Sequence, residues 1–95
     1  LMAFTVIVEG ALYLAPGTIA VTVSQGEPNE EATYSLLGYD ENPLLVDTLD
    51  GSGQLMNNPV SVPQVGAGTY TLEVVTATHT GTGTFEAASV WTTPT

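Results

Sequence analysis

Lysine and arginine are absent from this chain of 95 residues, although ten of its side chains are carboxylates. An average domain is about a quarter charged and carries both signs. With a formal charge of -10 and no basic side chain except a protonated His79, the chain cannot neutralise phosphates, which argues against nucleic acid and anionic membrane surfaces as partners. Ion pairs within the chain are equally restricted, so apolar burial and backbone hydrogen bonds must hold the fold. The carboxylates are Glu9, Glu27, Glu30, Glu31, Asp40, Glu41, Asp47, Asp50, Glu73 and Glu86.

Cysteine is absent as well, so neither disulfides nor thiol chemistry contribute. No apolar run approaches the 18 or so residues of a membrane helix, because Glu9, Gly10 and Pro16-Gly17 interrupt the N-terminal stretch. The start at Leu1-Met2 indicates a processed chain, and no signal peptide is visible. Trypsin-like proteases find no cleavage site, which suits a protein that works outside the cell or on its surface.

The residue types present are those of an all-β protein. Fifteen threonines give polarity without charge, favour strands and offer candidate O-glycan sites. Glycine and proline recur every 8 to 12 residues or so, between runs rich in Val, Ile, Thr, Tyr and Leu. We therefore expect residues 1–95 to form a single β-sandwich domain of seven to eight short, mostly antiparallel strands, with jelly-roll or immunoglobulin-like topology.

Individual strands and turns follow from the same pattern. Residues 18–24 alternate, with Ile19, Val21 and Val23 on one face, which predicts a half-buried strand. Further strands are predicted over residues 32–39, 44–49, 60–62, 69–78 and 84–91. Turns are predicted at Asp50-Gly51-Ser52-Gly53 and at Gly81-Thr82-Gly83, and Pro63 is expected to end a strand because it cannot donate to a ladder.

The second half of the chain resembles a family of secreted sandwiches. The segments that carry the likeness are Leu36-Leu37-Gly38-Tyr39-Asp40-Glu41-Asn42-Pro43-Leu44-Leu45, Gly66-Ala67-Gly68-Thr69-Tyr70-Thr71-Leu72-Glu73-Val74 and Gly81-Thr82-Gly83-Thr84-Phe85. In this order they are similar to bacterial pre-peptidase C-terminal domains, over roughly residues 32–91. The resemblance implies secretion and a non-catalytic role in binding or assembly.

The N-terminal segment suggests how such an assembly would form. Residues 1–8 contain seven apolar side chains out of eight. In this respect the chain resembles extracellular pilins that polymerise by donor-strand exchange, including bundling pili of archaea. The resemblance implies that residues 1–14 insert as a strand into a neighbouring subunit, with Pro16-Gly17 as a hinge. The alternative is that this strand is the first one of the chain's own sandwich.

The side chains predicted to lie between subunits are mostly apolar ones from the N-terminal segment. Phe4, Val6 and Val8 would fill pockets of the neighbour, because alternate residues of a strand face the same side. The predicted inter-subunit residues are Leu1, Met2, Phe4, Val6, Val8 and Trp91.

One group of carboxylates is a candidate metal site. Asp40, Glu41, Asp47 and Asp50 stand near the turn over residues 51–53, and calcium takes six to eight oxygen ligands from carboxylates and carbonyls. The alternative is an ordinary hairpin turn, because the spacing is not that of an EF-hand. No other cofactor is expected, since His79 cannot form a zinc site without carboxylate help. No nucleophile motif indicates an enzyme.

Three functions remain open at this point. The first is a structural subunit of an extracellular filament or surface layer whose main partner is another copy of itself. The second is an extracellular module that binds carbohydrate or another surface polymer, with aromatic side chains stacking on sugar rings and calcium as a stabiliser. The candidate aromatic residues are Tyr13, Tyr34, Tyr39, Tyr70 and Trp91. The third is a viral capsid or decoration protein.

Overall fold

The structure is a computed structural model that describes residues 1–9 and 17–87. Within those ranges every regular element is a strand, and no helix is long and apolar enough to cross a membrane. The prediction of an all-β fold is confirmed. The strands are β1 (Met2–Ala3), β2 (Thr5–Glu9), β3 (Gly17–Ser24), β4 (Glu31–Leu36), β5 (Leu45–Thr48), β6 (Leu55–Val62), β7 (Gly68–Val75) and β8 (His79–Ala87).

The eight strands form two sheets packed face to face. The large sheet has the order β1-β8-β7-β4-β5, and the small sheet has the order β2-β3-β6. Every pairing is antiparallel except that of β1 with β8, which is parallel. The small sheet thus matches strands A, B and E of an immunoglobulin sandwich, and β8-β7-β4-β5 matches G, F, C and C′. Of the two predicted topologies, the structure has the immunoglobulin-like one.

The core lies between the sheets and is built from alternate residues of each strand. Ile19, Val21 and Val23 point inward from β3 and are at most 2% exposed, as their alternation predicts. Leu72 and Val74 of β7 face them from the large sheet and are fully buried. Each such side chain contributes about 1.5–3 kcal/mol through removal from water. Since the chain has no lysine or arginine for ion pairs, its stability comes from this burial together with the backbone hydrogen bonds of the sheets.

The N-terminal segment belongs to both sheets. Met2 pairs with His79 at the edge of the large sheet, and the Phe4 amide donates to the Thr80 carbonyl at 3.1 Å. From Thr5 onward the chain crosses to the small sheet and pairs with β3, along which Thr5 lies opposite Ser24. In the single chain, residues 1–9 therefore complete their own sandwich.

The predicted turn at residues 81–83 is wrong. These residues lie in the middle of β8, and the chain reverses instead over residues 76–78. Threonine makes that reversal: the Thr76 hydroxyl accepts from the His79 amide at 2.9 Å, and the Thr76 amide donates to the His79 carbonyl at 2.8 Å. Local glycine preference indicated a turn, but contacts with distant residues place both glycines in a strand. Predicted strand 69–78 accordingly ends at Val75, and strand 84–91 begins at His79.

Two other strand boundaries differ from the prediction. The strand predicted over residues 32–39 ends at Leu36, because the Asn42 side chain accepts from the Leu36 amide at 2.9 Å and donates to the Leu36 carbonyl at 2.8 Å. The strand predicted over residues 60–62 begins earlier, at Leu55, with a bulge that places Asn57 at a φ of 51°. Its predicted end before Pro63 is confirmed.

The predicted turn at residues 50–53 is confirmed. The Asp50 carboxylate accepts from the Ser52 amide at 2.8 Å and from the Gln54 amide at 3.1 Å. Gly53 has a φ of 74°, which favours glycine, and its carbonyl accepts from the Gly26 amide at 3.0 Å. The turn is thereby joined to the loop that follows β3.

Replacing Gly53 by alanine should destabilise the protein by about 2 kcal/mol or more, because of the positive φ and a steric collision. A β-carbon there would collide with the Gly26 carbonyl oxygen. Gly51→Ala is the matched control, since nothing lies within 4 Å of a β-carbon at that position. Urea unfolding followed by circular dichroism measures both variants. Equal midpoints for the two variants would contradict the prediction.

Candidate functional site

Two glycines of β8 form the surface on which the N-terminal strand lies. A β-carbon at Gly81 would stand 2.6 Å from the Phe4 carbonyl oxygen, and one at Gly83 would stand 2.9 Å from the Val6 carbonyl oxygen. Real β-carbons do not approach so closely, so the backbone at Phe4 and Val6 reaches β8 only because both positions lack a side chain. We call Gly81 and Gly83 the glycine seat.

A period of two is the sequence signal for this seat. The segment Thr80-Gly81-Thr82-Gly83-Thr84 alternates threonine with glycine, which in a strand puts both glycines on one face. Phe85 continues the inward face and is 4% exposed, whereas Thr82 and Thr84 are exposed. Reading glycine only as a turn residue hides this pattern.

Beside the seat, the Phe4 side chain occupies a compact socket. Its ring stacks on the His79 ring with centroids 5.6 Å apart and planes inclined by 28°. A β-carbon at Gly26 would lie 3.2 Å from the Phe4 ring and 2.8 Å from a methyl of Leu49. Phe4 is 7% exposed. We call His79, Gly26, Leu49 and Gly81 the Phe4 socket.

A chain of hydrogen bonds fixes the imidazole of the socket. The Thr78 hydroxyl donates to the Glu30 carboxylate at 2.6 Å and lies 2.7 Å from His79 Nδ1. Since the hydroxyl hydrogen goes to Glu30, Nδ1 carries a hydrogen and donates to Thr78. The hydrogen bond from Thr78 holds the pKa of Glu30 below its ordinary value of 4.5, and the charge of a protonated His79 acts in the same direction.

Replacing Thr78 by valine should make stability less dependent on pH in the acid range. A lowered pKa in the folded state means that the unfolded chain binds more protons, so acid favours unfolding. The contribution of Glu30 is complete above about pH 4.5 and is lost as the pH falls through the lowered folded value.

The measurement is the urea midpoint at about pH 6 and about pH 3. We expect a smaller difference between the two midpoints in Thr78→Val than in the unaltered chain. Thr84→Val is the control, because Thr84 is exposed and lies opposite Thr71 rather than a carboxylate. Identical differences in all three proteins would contradict the assignment.

The four carboxylates proposed as calcium ligands are not brought together. Asp50 holds its own turn, Asp47 accepts from the Asn58 side chain at 2.9 Å, and Glu41 accepts from the Tyr39 hydroxyl at 3.2 Å. Asp40 is exposed in the loop before Glu41. Within residues 1–9 and 17–87, no group of three His, Cys, Asp or Glu side chains could hold a metal ion. Calcium binding stays a prediction from the sequence.

Asp47 lies instead at an edge where the two sheets meet. Its bond to Asn58 joins β5 of the large sheet to β6 of the small sheet. The nearby Tyr34 hydroxyl is buried and has no hydrogen-bond partner among the described residues. Burial, together with the charge of Asp47, raises the pKa of Tyr34. This edge is a polar connection between the sheets rather than a binding cleft.

The aromatic residues proposed to stack on sugars do not form a platform in the described ranges. The Tyr39 ring is half-buried, and burial with the charge of Glu41 raises the pKa of its hydroxyl. Tyr70 packs on Phe85 with ring centroids 6.0 Å apart. Trp91 lies outside the described residues. The described part of the chain forms no pocket.

Of the six residues predicted at a subunit interface, Trp91 lies outside the described residues, and the other five fall into two groups. Phe4 and Val6 are buried in the chain's own core, and Val8 packs against that core. Leu1 and Met2 are 78% and 67% exposed. The structure thus brings the first three to the glycine seat and leaves the other two on the surface.

No protein-family model, no curated protein and no solved structure matches this chain. The resemblances to pre-peptidase C-terminal domains and to donor-strand pilins stay predictions. The candidate site therefore rests on its geometry: the glycine seat, the Phe4 socket and the strand they receive.

Replacing Gly83 by alanine should lower the free energy of unfolding by about 1–3 kcal/mol, because a methyl group overfills the seat. Its β-carbon would meet both the Val6 carbonyl oxygen and a Val8 methyl at 2.9 Å. Gly66→Ala is the control, since its β-carbon would meet only the Tyr70 hydroxyl, at 3.8 Å. The measurement is the urea midpoint of both variants. An unchanged midpoint for Gly83→Ala would show that β8 does not require glycine at this position.

Proposed function

We propose that this protein is a structural subunit of an extracellular filament or surface layer, and that it assembles with copies of itself by exchanging its N-terminal strand. The observation that carries the proposal is the glycine seat. A surface made of bare backbone on β8 receives residues 4–8. The same surface can receive the same segment from a second copy.

The position of the segment makes such an exchange possible without breaking other strand pairs. β1 is the edge strand of the large sheet, and β2 is the edge strand of the small sheet. Withdrawing both leaves the other six strands paired as before and exposes a groove between β3 and β8. Exchange then forms the same contacts between chains that the closed chain forms internally, which is why swapping an element is a low-cost route to oligomers.

An unfilled groove would be unfavourable, so one strand or another must occupy it. Withdrawal leaves the edge of β3 without its hydrogen-bonding partner and exposes apolar core. If each chain donates to the next, the contact is head-to-tail and its product is an open polymer. Backbone hydrogen bonds supply affinity in this kind of strand addition, and side-chain pockets supply specificity.

Charge supports contact through this segment rather than elsewhere. Two chains of formal charge -10 repel each other, but residues 1–8 carry no carboxylate. The seat and the neighbouring inward residues of β3 are also uncharged. The lack of lysine and arginine, which removes trypsin-like cleavage sites, supports a place outside the cell.

Cysteine pairing tests the exchange, because the chain has no cysteine of its own. Thr5 and Ser24 are register partners, and residues directly opposite in an antiparallel pair lie about 4.5–5.5 Å apart between α-carbons, within reach of a disulfide. One chain carries Thr5→Cys and a second carries Ser24→Cys. After joint refolding from denaturant and mild oxidation, we expect a disulfide between the two chains.

Thr18→Cys in place of Ser24→Cys is the control for random collisions, because Thr18 lies at the far end of β3. Formation of a disulfide-linked heterodimer with the Ser24→Cys chain, but not with the Thr18→Cys chain, supports strand exchange. Equal yields, or none, would overturn the proposal. Light scattering and negative-stain electron microscopy of the unaltered protein then measure how far assembly proceeds.

A further inference from the structure

We infer that the Phe4 socket sets the register of the incoming strand and selects partners with an aromatic residue at this position. The inference rests on the proposed strand exchange and names the partner segment: an extended strand with an aromatic residue followed, two and four positions later, by β-branched residues. Phe4, Val6 and Val8 have this spacing.

A feature that fixes the register is needed because of the sequence of the strand itself. Val6 and Val8 are identical side chains two positions apart, and both face inward against the seat. A slip by two residues keeps the same face inward and puts Val8 where Val6 was. Gly81 touches a Val6 methyl group and Phe4, and Gly83 touches the Val6 carbonyl and a Val8 methyl group. After the slip the Val6 position again holds a valine, whereas Gly10 would come to the Val8 position. At the Val6 position, the valines therefore do not distinguish the two registers.

Phe4 is the largest of the inward side chains that a slip would displace. In the slipped alignment Val6 would enter the socket, where a smaller side chain leaves a void between His79 and Leu49. The ring stacking with His79 would also be lost. Aromatic pairs contribute about 0.5–1.5 kcal/mol beyond area burial, and the void adds to this difference. We call the register seen in the structure, with Thr5 opposite Ser24, the aligned register. It is favoured because Phe4 then fills the Phe4 socket.

His79 acts in this device as a positioning residue. The residue is 5% exposed, and its Nδ1 is hydrogen-bonded to Thr78, which is itself hydrogen-bonded to Glu30. The ring therefore presents a fixed face to Phe4. On the other sides, Gly26 and Gly81 leave room for an aromatic ring because neither carries a side chain.

Register is measured by two cysteine donors against one acceptor, Ser24→Cys. A Thr5→Cys donor reports the aligned register, and an Ile7→Cys donor reports the register slipped by two residues. In the aligned register Ile7 lies opposite Thr22, and diagonal neighbours about 7–8 Å apart lie beyond a normal disulfide. The readout is the ratio of the two heterodimer yields after joint refolding.

With Phe4 in the donor, we expect the aligned product to dominate. Adding Phe4→Val to both donors makes the inward residues three valines, and the ratio should fall by about tenfold, which corresponds to 1.4 kcal/mol. His79→Leu in the acceptor should lower the ratio for Phe4 donors and leave it unchanged for Phe4→Val donors, as a double-mutant cycle requires for a direct contact.

Two controls keep the outcomes distinct. Thr84→Val in the acceptor changes an exposed residue of β8 and should leave the ratio unchanged. Thr78→Val retains the imidazole and removes only its support, so it tests positioning if His79→Leu fails to fold. If heterodimers form but the ratio of their yields is unchanged by Phe4→Val, the inference is wrong and strand exchange is still supported. No heterodimer with any donor would overturn strand exchange and the inference with it.

Discussion

Backbone packed directly on backbone joins the two sheets at the N-terminal edge of this sandwich. Residues 4–8 approach β8 to a distance that only glycine at positions 81 and 83 allows, and residues 5–8 also pair with β3 on the other sheet. The chain has no lysine or arginine, so ion pairs with these side chains cannot stabilise the fold. Close packing of this kind must supply that stability. The first strands, the seat and the socket form one unit.

Alternation along the strands made much of this fold predictable. Ile19, Val21 and Val23 read directly as the inward face of a strand, and the turn at Asp50 follows from its own side-chain hydrogen bonds. The strand conformation of Gly81 and Gly83 was not predictable in this way, because it is set by contacts with residues almost eighty positions earlier in the chain. Local propensity reports what a residue permits, while the tertiary contact decides which permitted state is used.

The candidate site was only half visible in the sequence for the same reason. The spacing of Phe4, Val6 and Val8 predicts a strand with one inward face. The neighbouring sequence does not indicate which residues that face contacts. His79 looked like an isolated imidazole at a strand end, since its partners Thr78 and Glu30 meet only when the turn before β8 folds against the start of β4. A pattern along one strand predicts its face, whereas a socket needs several strands at once.

The parallel pairing of β1 with β8 also has a consequence in time. Met2 is synthesised well before its partner His79, which lies at the start of the last described strand. Such distant pairings close large loops and slow folding. Throughout translation of the intervening strands β1 has no partner strand, whereas β2 can already pair with β3. Order of synthesis therefore keeps β1 without its partner for longer than any other described strand.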